Sequence, residues 1–133
     1  MLAADSLVLQ FPVQWYATPP MLKQWQDKVL TRMFYVQPQD GAQLADRPLM
    51  VVLTAGNRQD AYAPDGADLF TMDALLAPLK ATANRCGLAW TAPFVSHGVN
   101  GADPADLDAM ATRYGDALAK FAATEHQLAA AAA

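Results

Sequence analysis

Residues 11–20, FPVQWYATPP, place a Trp, a Tyr and three prolines in one short stretch. Aromatic side chains at positions 15 and 16 can flank a planar ring system. Backbone groups of Pro12, Val13, Gln14, Trp15 and Tyr16 can meet the polar edge of such a ring. The competing reading has Trp15 and Tyr16 only covering the end of a sheet. The crowding of aromatics and prolines directly after an apolar run favours a ligand. A second candidate is Thr54-Ala55-Gly56-Asn57, small residues that let backbone N–H groups approach a ligand closely. No GK[ST] follows it and it is not GxGxxG, so neither a Walker loop nor a dinucleotide fingerprint is present. Tyr62 lies eight residues beyond Thr54 and can hydrogen-bond a ligand.

Other chemistry is sparse. His97 and His126 are the only histidines; His97 can approach the same crevice, and His126 is expected in an exposed tail. No HExxH or Cys/His cluster suggests a metal site, and no GxSxG elbow suggests a hydrolase. Cys86 is the single cysteine and reads as a buried structural thiol. With no evident acid, base or nucleophile, any catalysis would rest on a cofactor, which the protein orients.

The elements that must position these residues alternate between strand and helix. Residues 6–10 read as a buried strand and 11–19 as loop, since prolines at 12, 19 and 20 oppose regular pairing. Thr18 is an expected N-cap for a helix whose apolar face is Met21, Leu22, Trp25, Val29 and Met33, with Gln26 on the opposite face. Residues 35–48 read as an irregular connection, 49–53 as a second buried strand, and 54–70 as a long loop of the kind that is functional or mobile. Thr71 caps the next helix, Pro78 kinks it or marks a late start, and Gly87 ends it. A third strand lies between residues 88 and 97, in two parts around 91–93. Asp103 or Asp106 opens the last helix, with Leu107, Met110, Tyr114, Leu118 and Phe121 on one face. The order implies an α/β fold with a parallel sheet and right-handed crossovers. Residues 1–128 form one domain, followed by an alanine tail at 129–133 that frays.

The 133 residues carry a net charge of −4 and no Lys/Arg cluster, which argues against nucleic acid or an anionic membrane surface as partner. No apolar run is long enough for a membrane span. The N-terminus does not read as a signal peptide, so a cytoplasmic, reducing setting is expected.

FPVQWYATPPMLKQWQDKVLT resembles the signature of flavodoxin-like NAD(P)H:quinone reductases, the group that includes DT-diaphorase, modulators of drug activity and the ancillary reductases of potassium efflux. LMVVLTAGN, AYAPDG and LLAPLKATANRCGLAWTAPFVSHG are similar to later segments of that family, in order, from Asp5 to about Phe121. The resemblance implies a flavodoxin-like three-layer sandwich, here partial, with strands 3, 4 and 5 of the usual five. It implies FMN or FAD as cofactor, held by Pro12, Val13, Gln14, Trp15, Tyr16, Thr54, Ala55, Gly56 and Asn57. Tyr62 would act beside the substrate. NAD(P)H would supply hydride to the flavin, and a quinone would receive it. It also implies a homodimer with the site near the interface. The second loop reads TAGN where the family has TTGG, and Asn57 suits a positive φ there. Family members carry a strand, phosphate loop, helix and second strand ahead of this region. The expectation is therefore a truncated product or fragment, with Met1 an internal start, an exposed apolar edge on its first strand, and weak or no flavin binding by the chain alone. The alternatives are a non-catalytic flavodoxin-like remnant acting through protein contacts, or a small nucleotide-binding domain if Trp15 and Tyr16 were buried.

Overall fold

A computed structural model describes residues 1–131, with side-chain surroundings through residue 123. His126 and the end of the alanine tail lie outside the described side chains. The sheet is parallel throughout. β1 (Leu7–Pro12) pairs with β2 (Pro48–Thr54), from Leu7 opposite Leu49 to Pro12 opposite Thr54. On its other edge β2 pairs with β3 (Ala89–Trp90) and then β4 (Phe94–Ser96). β3 and β4 are the two parts of the expected third strand, interrupted at Thr91-Ala92-Pro93.

β1 is longer than expected. Phe11, assigned to the loop, is in the core at 5 % exposure, and Pro12 closes the strand. The Val13 N–H donates to the Thr54 carbonyl at 2.9 Å. Because alternate residues of a parallel strand bond to opposite sides, Pro12 turns its donorless nitrogen toward the unpaired edge, where a proline costs no ladder bond.

Leu7, Leu9 and Phe11 share a face with Leu49, Val51 and Leu53 by register. α3 (Met72–Arg85) covers that face with Leu76, Leu79 and Ala83, beside α1 (Pro20–Thr31). α4 (Pro104–Ala131) lies on the other face, where the Tyr114 hydroxyl meets Gln10 Oε1 at 2.9 Å and its ring lies 5.7 Å from that of Phe94. With helices on both sides, Leu49 to Leu53 are all buried, which explains an uninterrupted apolar run.

Several local expectations change. Thr18 does not cap α1. Pro19 is the N-cap, at φ −56° and ψ 150°, with no side-chain bond. Thr18 and Pro19 each precede a proline, which disfavours helical backbone, so the helix begins at Pro20. The expected face largely holds, with Leu22, Trp25 and Val29 half-buried and Met33 buried, but Met21 is 81 % exposed and Gln26, expected on the opposite face, is buried. The connection read as irregular holds a π-helical turn, Arg32–Val36, and the short α2, Pro38–Ala42. α3 runs unbroken through Pro78, so there is no late start. On α4, Met110, Tyr114 and Phe121 are half-buried, while Leu107 and Leu118 of the expected face are exposed. The helix extends to Ala131, into the alanine stretch.

Other signals hold. The Thr71 hydroxyl accepts from the Ala74 N–H at 3.2 Å. Asp103 and Asp106 each accept the other's backbone N–H at the start of α4. α3 ends with Gly87 at φ 69°, the Gly87 N–H on the Asn84 carbonyl and the Leu88 N–H on the Ala83 carbonyl. That pair of bonds is a Schellman motif, whose αL position suits glycine. Gly87→Ala is expected to lower unfolding stability by about 1–2 kcal/mol, read from urea denaturation. An unchanged midpoint would mean that the helix end re-forms without the left-handed residue.

Candidate functional site

The carboxyl ends of β1, β2 and β4 lie level, because Thr54 is the register partner of both Pro12 and Ser96. Loops leaving the three strands therefore converge, as expected for ligand sites in open α/β sheets. Backbone bonds stitch them together: Ala55 N–H to the Ser96 carbonyl at 2.8 Å, Val99 N–H to the Ala55 carbonyl at 3.2 Å, and Gly98 N–H to the Asn57 carbonyl at 2.7 Å. Gly56 lets the Asn100 side chain approach closely. A Cβ there would come within 2.5 Å of Asn100 Nδ2.

The loop after β1 folds into a two-residue turn. Gln14 and Ala17 exchange N–H to carbonyl bonds, each 3.0 Å, and the residues between them, Trp15 and Tyr16, have φ of 46° and 62°. Positive φ at both central positions is the type I′ geometry, normally built from Asn and Gly. Two bulky aromatics in that region cost about 1–3 kcal/mol each. The turn lifts Trp15 into solvent, 94 % exposed, and leaves Tyr16 half-exposed. Neither ring is buried, so the reading in which Trp15 merely covers the sheet end does not hold.

Asp68 holds this arrangement. Its carboxylate is buried at 8 % exposure. It accepts from the Tyr16 hydroxyl at 3.1 Å, and from Asn57 Nδ2 at 3.1 and 3.0 Å on its two oxygens. One buried carboxylate thus ties the loop after β1 to the loop after β2. Its hydrogen bond, and then its charge, raise the Tyr16 phenol above the ordinary tyrosine range. The Tyr62 phenol is also raised, first by burial and then by the Asp68 charge, against a backbone hydrogen bond involving Asn57. Tyr62 packs on His97 with ring centroids 5.2 Å apart. Burial lowers the His97 imidazole below its usual range, and its buried Nδ1 has no partner. The cleft therefore presents two phenol hydroxyls, with the neutral imidazole of His97 packed behind Tyr62.

A shallow cleft of about 180 Å³ gathers Val13, Trp15, Tyr16, Gly56, Asn57 and Tyr62, together with Asp68 and Asn100. The remaining sequence candidates frame it. Pro12 ends β1, Gln14 forms the base of the turn, and Thr54 is the last residue of β2. Ala55 is fully buried and both its backbone groups are engaged, so it shapes the loop without offering a free donor. Asn57 does not take a positive φ; its contribution is the side-chain bond to Asp68. Among the described residues, the N–H groups of Trp15, Tyr16 and Gly56 make no hydrogen bond. Asp68 and Asn100 were not apparent as site residues in the sequence, since each reads as an ordinary polar loop residue. Among the described residues no group of His, Cys, Asp and Glu could hold a metal ion, and no helix is long and apolar enough to cross a membrane.

An exposed aromatic face beside free N–H donors fits a flat heteroaromatic ring with a polar edge, such as isoalloxazine. No Lys or Arg lines the cleft, so it offers no cation to a phosphate group.

The family model described as "Flavodoxin-like fold" matches residues 1–118. The chain is 37 % identical over 123 residues to the glutathione-regulated potassium-efflux system ancillary protein KefF of Citrobacter koseri, covering 92 % of this chain and 68 % of that protein. The crystal structure of general stress protein 14 in complex with FMN, from Treponema denticola, is 32 % identical with a TM-score of 0.77, over 92 % of this chain and 67 % of that one. An NADPH-quinone reductase from P. pentosaceus is 26 % identical with a TM-score of 0.74, over 85 % of this chain and 66 % of that one. The chain spans between 61 % and 68 % of the length of the curated relatives it matches.

Asp68→Ala leaves a hydroxyl and an amide without their acceptor and is expected to lower stability by about 1–3 kcal/mol. Asp68→Asn, which keeps an acceptor oxygen, is expected to lose less; equal losses would show that the charge, and not the acceptor, holds the turn. A separate expectation concerns pH. The unfolded chain protonates His97 near its usual value of 6.5, while the folded chain resists protonation. Unfolding therefore takes up a proton, and stability falls as pH drops below that value. The Tm of the wild type is expected to fall more on acidification than that of His97→Gln; parallel curves would remove His97 as the source.

Proposed function

This chain belongs to the flavodoxin-like fold family, and on that premise we propose that it is the flavin-ring portion of an NAD(P)H:quinone oxidoreductase. The observation that carries this reading is the strained Trp15–Tyr16 turn, held by Asp68 at the carboxyl end of β1 with its first ring in solvent. Its support from relatives is the FMN complex of one and the NADPH-quinone reductase name of another.

Bound FMN or FAD supplies hydride acceptance from NADPH or NADH and electron donation to a quinone. Trp15 gives the ring a stacking face. The free N–H groups of Trp15, Tyr16 and Gly56 stand where a polar ring edge would meet them. The Tyr62 phenol, whose pKa burial raises further, is a donor for an oxygen of the second substrate. The neutral His97 behind it adds no competing charge. Trp15, Met21, Leu69 and Phe70 are all exposed, and Leu69 and Phe70 directly follow Asp68. A homodimer that covered these exposed side chains would place a second chain near the loops that bear them. A reducing, cytoplasmic setting suits the single buried thiol, Cys86. A second reading, a non-catalytic subunit acting through protein contacts, is favoured by the relative named as an ancillary protein of a potassium-efflux system.

The test is a titration of the purified chain with FMN, following flavin fluorescence, then NADPH oxidation with menadione. Weak saturable binding is expected, since the cleft has ring contacts and no lining cation. Trp15→Ala is expected to weaken it by roughly 1–3 kcal/mol, the scale of ring stacking on an aromatic. Unchanged affinity in that variant would remove Trp15 from the site. No binding by folded protein would favour the non-catalytic reading.

A further inference from the structure

The chain has three asparagines, and their surroundings differ. Asn57 gives its side-chain amide to Asp68 and is followed by Arg58. Asn84 lies inside α3 and is followed by Arg85. Asn100 is exposed, and Gly101 follows it. Among the described residues its side-chain amide makes no hydrogen bond. It lines the strand-end cleft, packed against Gly56. A side-chain amide carbon can be attacked by the backbone nitrogen of the next residue. Glycine presents that nitrogen with no Cβ beside it and with a backbone free to turn. Asn100 and Gly101 share a single 3-10 turn, Val99–Gly101. Its hydrogen bonds are long: Gly101 N–H to the Gly98 carbonyl at 3.2 Å and Ala102 N–H to the Val99 carbonyl at 3.4 Å. One exposed turn of this kind is weakly bonded and opens locally at small cost. Opening releases Asn100 from helical ψ and brings the Gly101 nitrogen within reach of Cγ.

We infer that Asn100 is a self-modification site, at which the chain converts a neutral wall of the cleft into a carboxylate. The Gly101 nitrogen loses its proton to base and bonds to Asn100 Cγ. The Cγ–Nδ2 bond breaks and the nitrogen leaves as ammonia, which closes a five-membered succinimide. Water then opens either carbonyl of that ring, giving aspartate or isoaspartate. The net change is one water taken up and one ammonia released, with no oxidant or reductant. The new charge adds to a chain already at −4. It enters a cleft that has Asp68 and no Lys or Arg in its lining, so it repels anionic ligands. Isoaspartate also adds a backbone methylene next to Gly98 and Val99, whose N–H groups bond the Asn57 and Ala55 carbonyls. The modification thus loosens the tie between the loops after β2 and β4. The inference does not depend on flavin binding.

The test holds the full, folded chain in warm buffer at mildly alkaline and mildly acidic pH, followed by intact mass and peptide mapping. A gain of about one dalton is expected, an amide becoming an acid, localised to Asn100 and faster at the alkaline pH. Asn57 and Asn84 should stay intact over the same period. Gly101→Ala should slow the conversion by about tenfold or more, since a Cβ crowds the nitrogen and restricts the backbone. That variant should fold like the wild type, because a Cβ on Gly101 meets nothing within 4 Å and its φ is not positive. The isoaspartate form, separated by ion exchange, should have a lower Tm than Asn100→Asp, which carries the same charge on an unaltered backbone. No gain in mass by the folded chain overturns the proposal. So do conversion of Asn57 or Asn84 at the same rate, or a rate that Gly101→Ala leaves unchanged. Equal Tm values for the isoaspartate form and Asn100→Asp overturn the loosening of the loops.

Discussion

The rest of the structure depends on β2 being paired along both edges. Among the described residues it is the strand with partners on two sides, and its side chains from Leu49 to Leu53 are at most 4 % exposed. Its register with β1 and β4 brings three strand ends level at Thr54. A slip of one residue would send Leu49, Val51 and Leu53 to the opposite face and separate the loops that form the cleft. Helix packing and site geometry thus follow from one ladder, and the buried aliphatic residues of β2 enforce it.

Above that ladder the site is organised by electrostatics more than by packing. Asp68 is a desolvated carboxylate whose neighbours are donors: the Tyr16 hydroxyl and the Asn57 amide. Desolvating an ion is tolerable when its lone pairs are met. Its hydrogen bond and then its charge raise the Tyr16 phenol, and its charge adds to the effect of burial on Tyr62. A single acidic side chain therefore ties the loop after β1 to the loop after β2.

Much of this was legible in the sequence. The parallel α/β order, β2, the Thr71 cap, the Gly87 stop and the convergence of residues 12–16 with 54–57 and Tyr62 all follow from apolar runs, capping residues and the rule for strand ends. What escaped depends on distance in space. Asp68 looks like a solvated loop acid until folding brings Tyr16, far earlier in the chain, to its carboxylate. Gln26 is polar and reads as solvent-facing, because periodicity reports which face is mostly apolar and not how far the covered stripe extends around the helix. Phe11 reads as loop because proline at 12 suggests an early strand end. It does not end early, since the ring nitrogen faces the unpaired edge. Asn57 is a residue that tolerates a positive φ, but in this region the positive φ falls on Trp15 and Tyr16, where the hairpin bonds of Gln14 and Ala17 override residue preference.

The type I′ turn also bears on how this protein could evolve. At its two central positions the backbone favours Asn followed by Gly, and at most such turns relieving that strain has no drawback. A lineage selected for thermal robustness alone would drift toward that pair and lose both aromatic rings without disturbing the sheet. Persistence of Trp-Tyr in this backbone would mark a second selective pressure, and the free energy forgone at the turn is a measure of its strength.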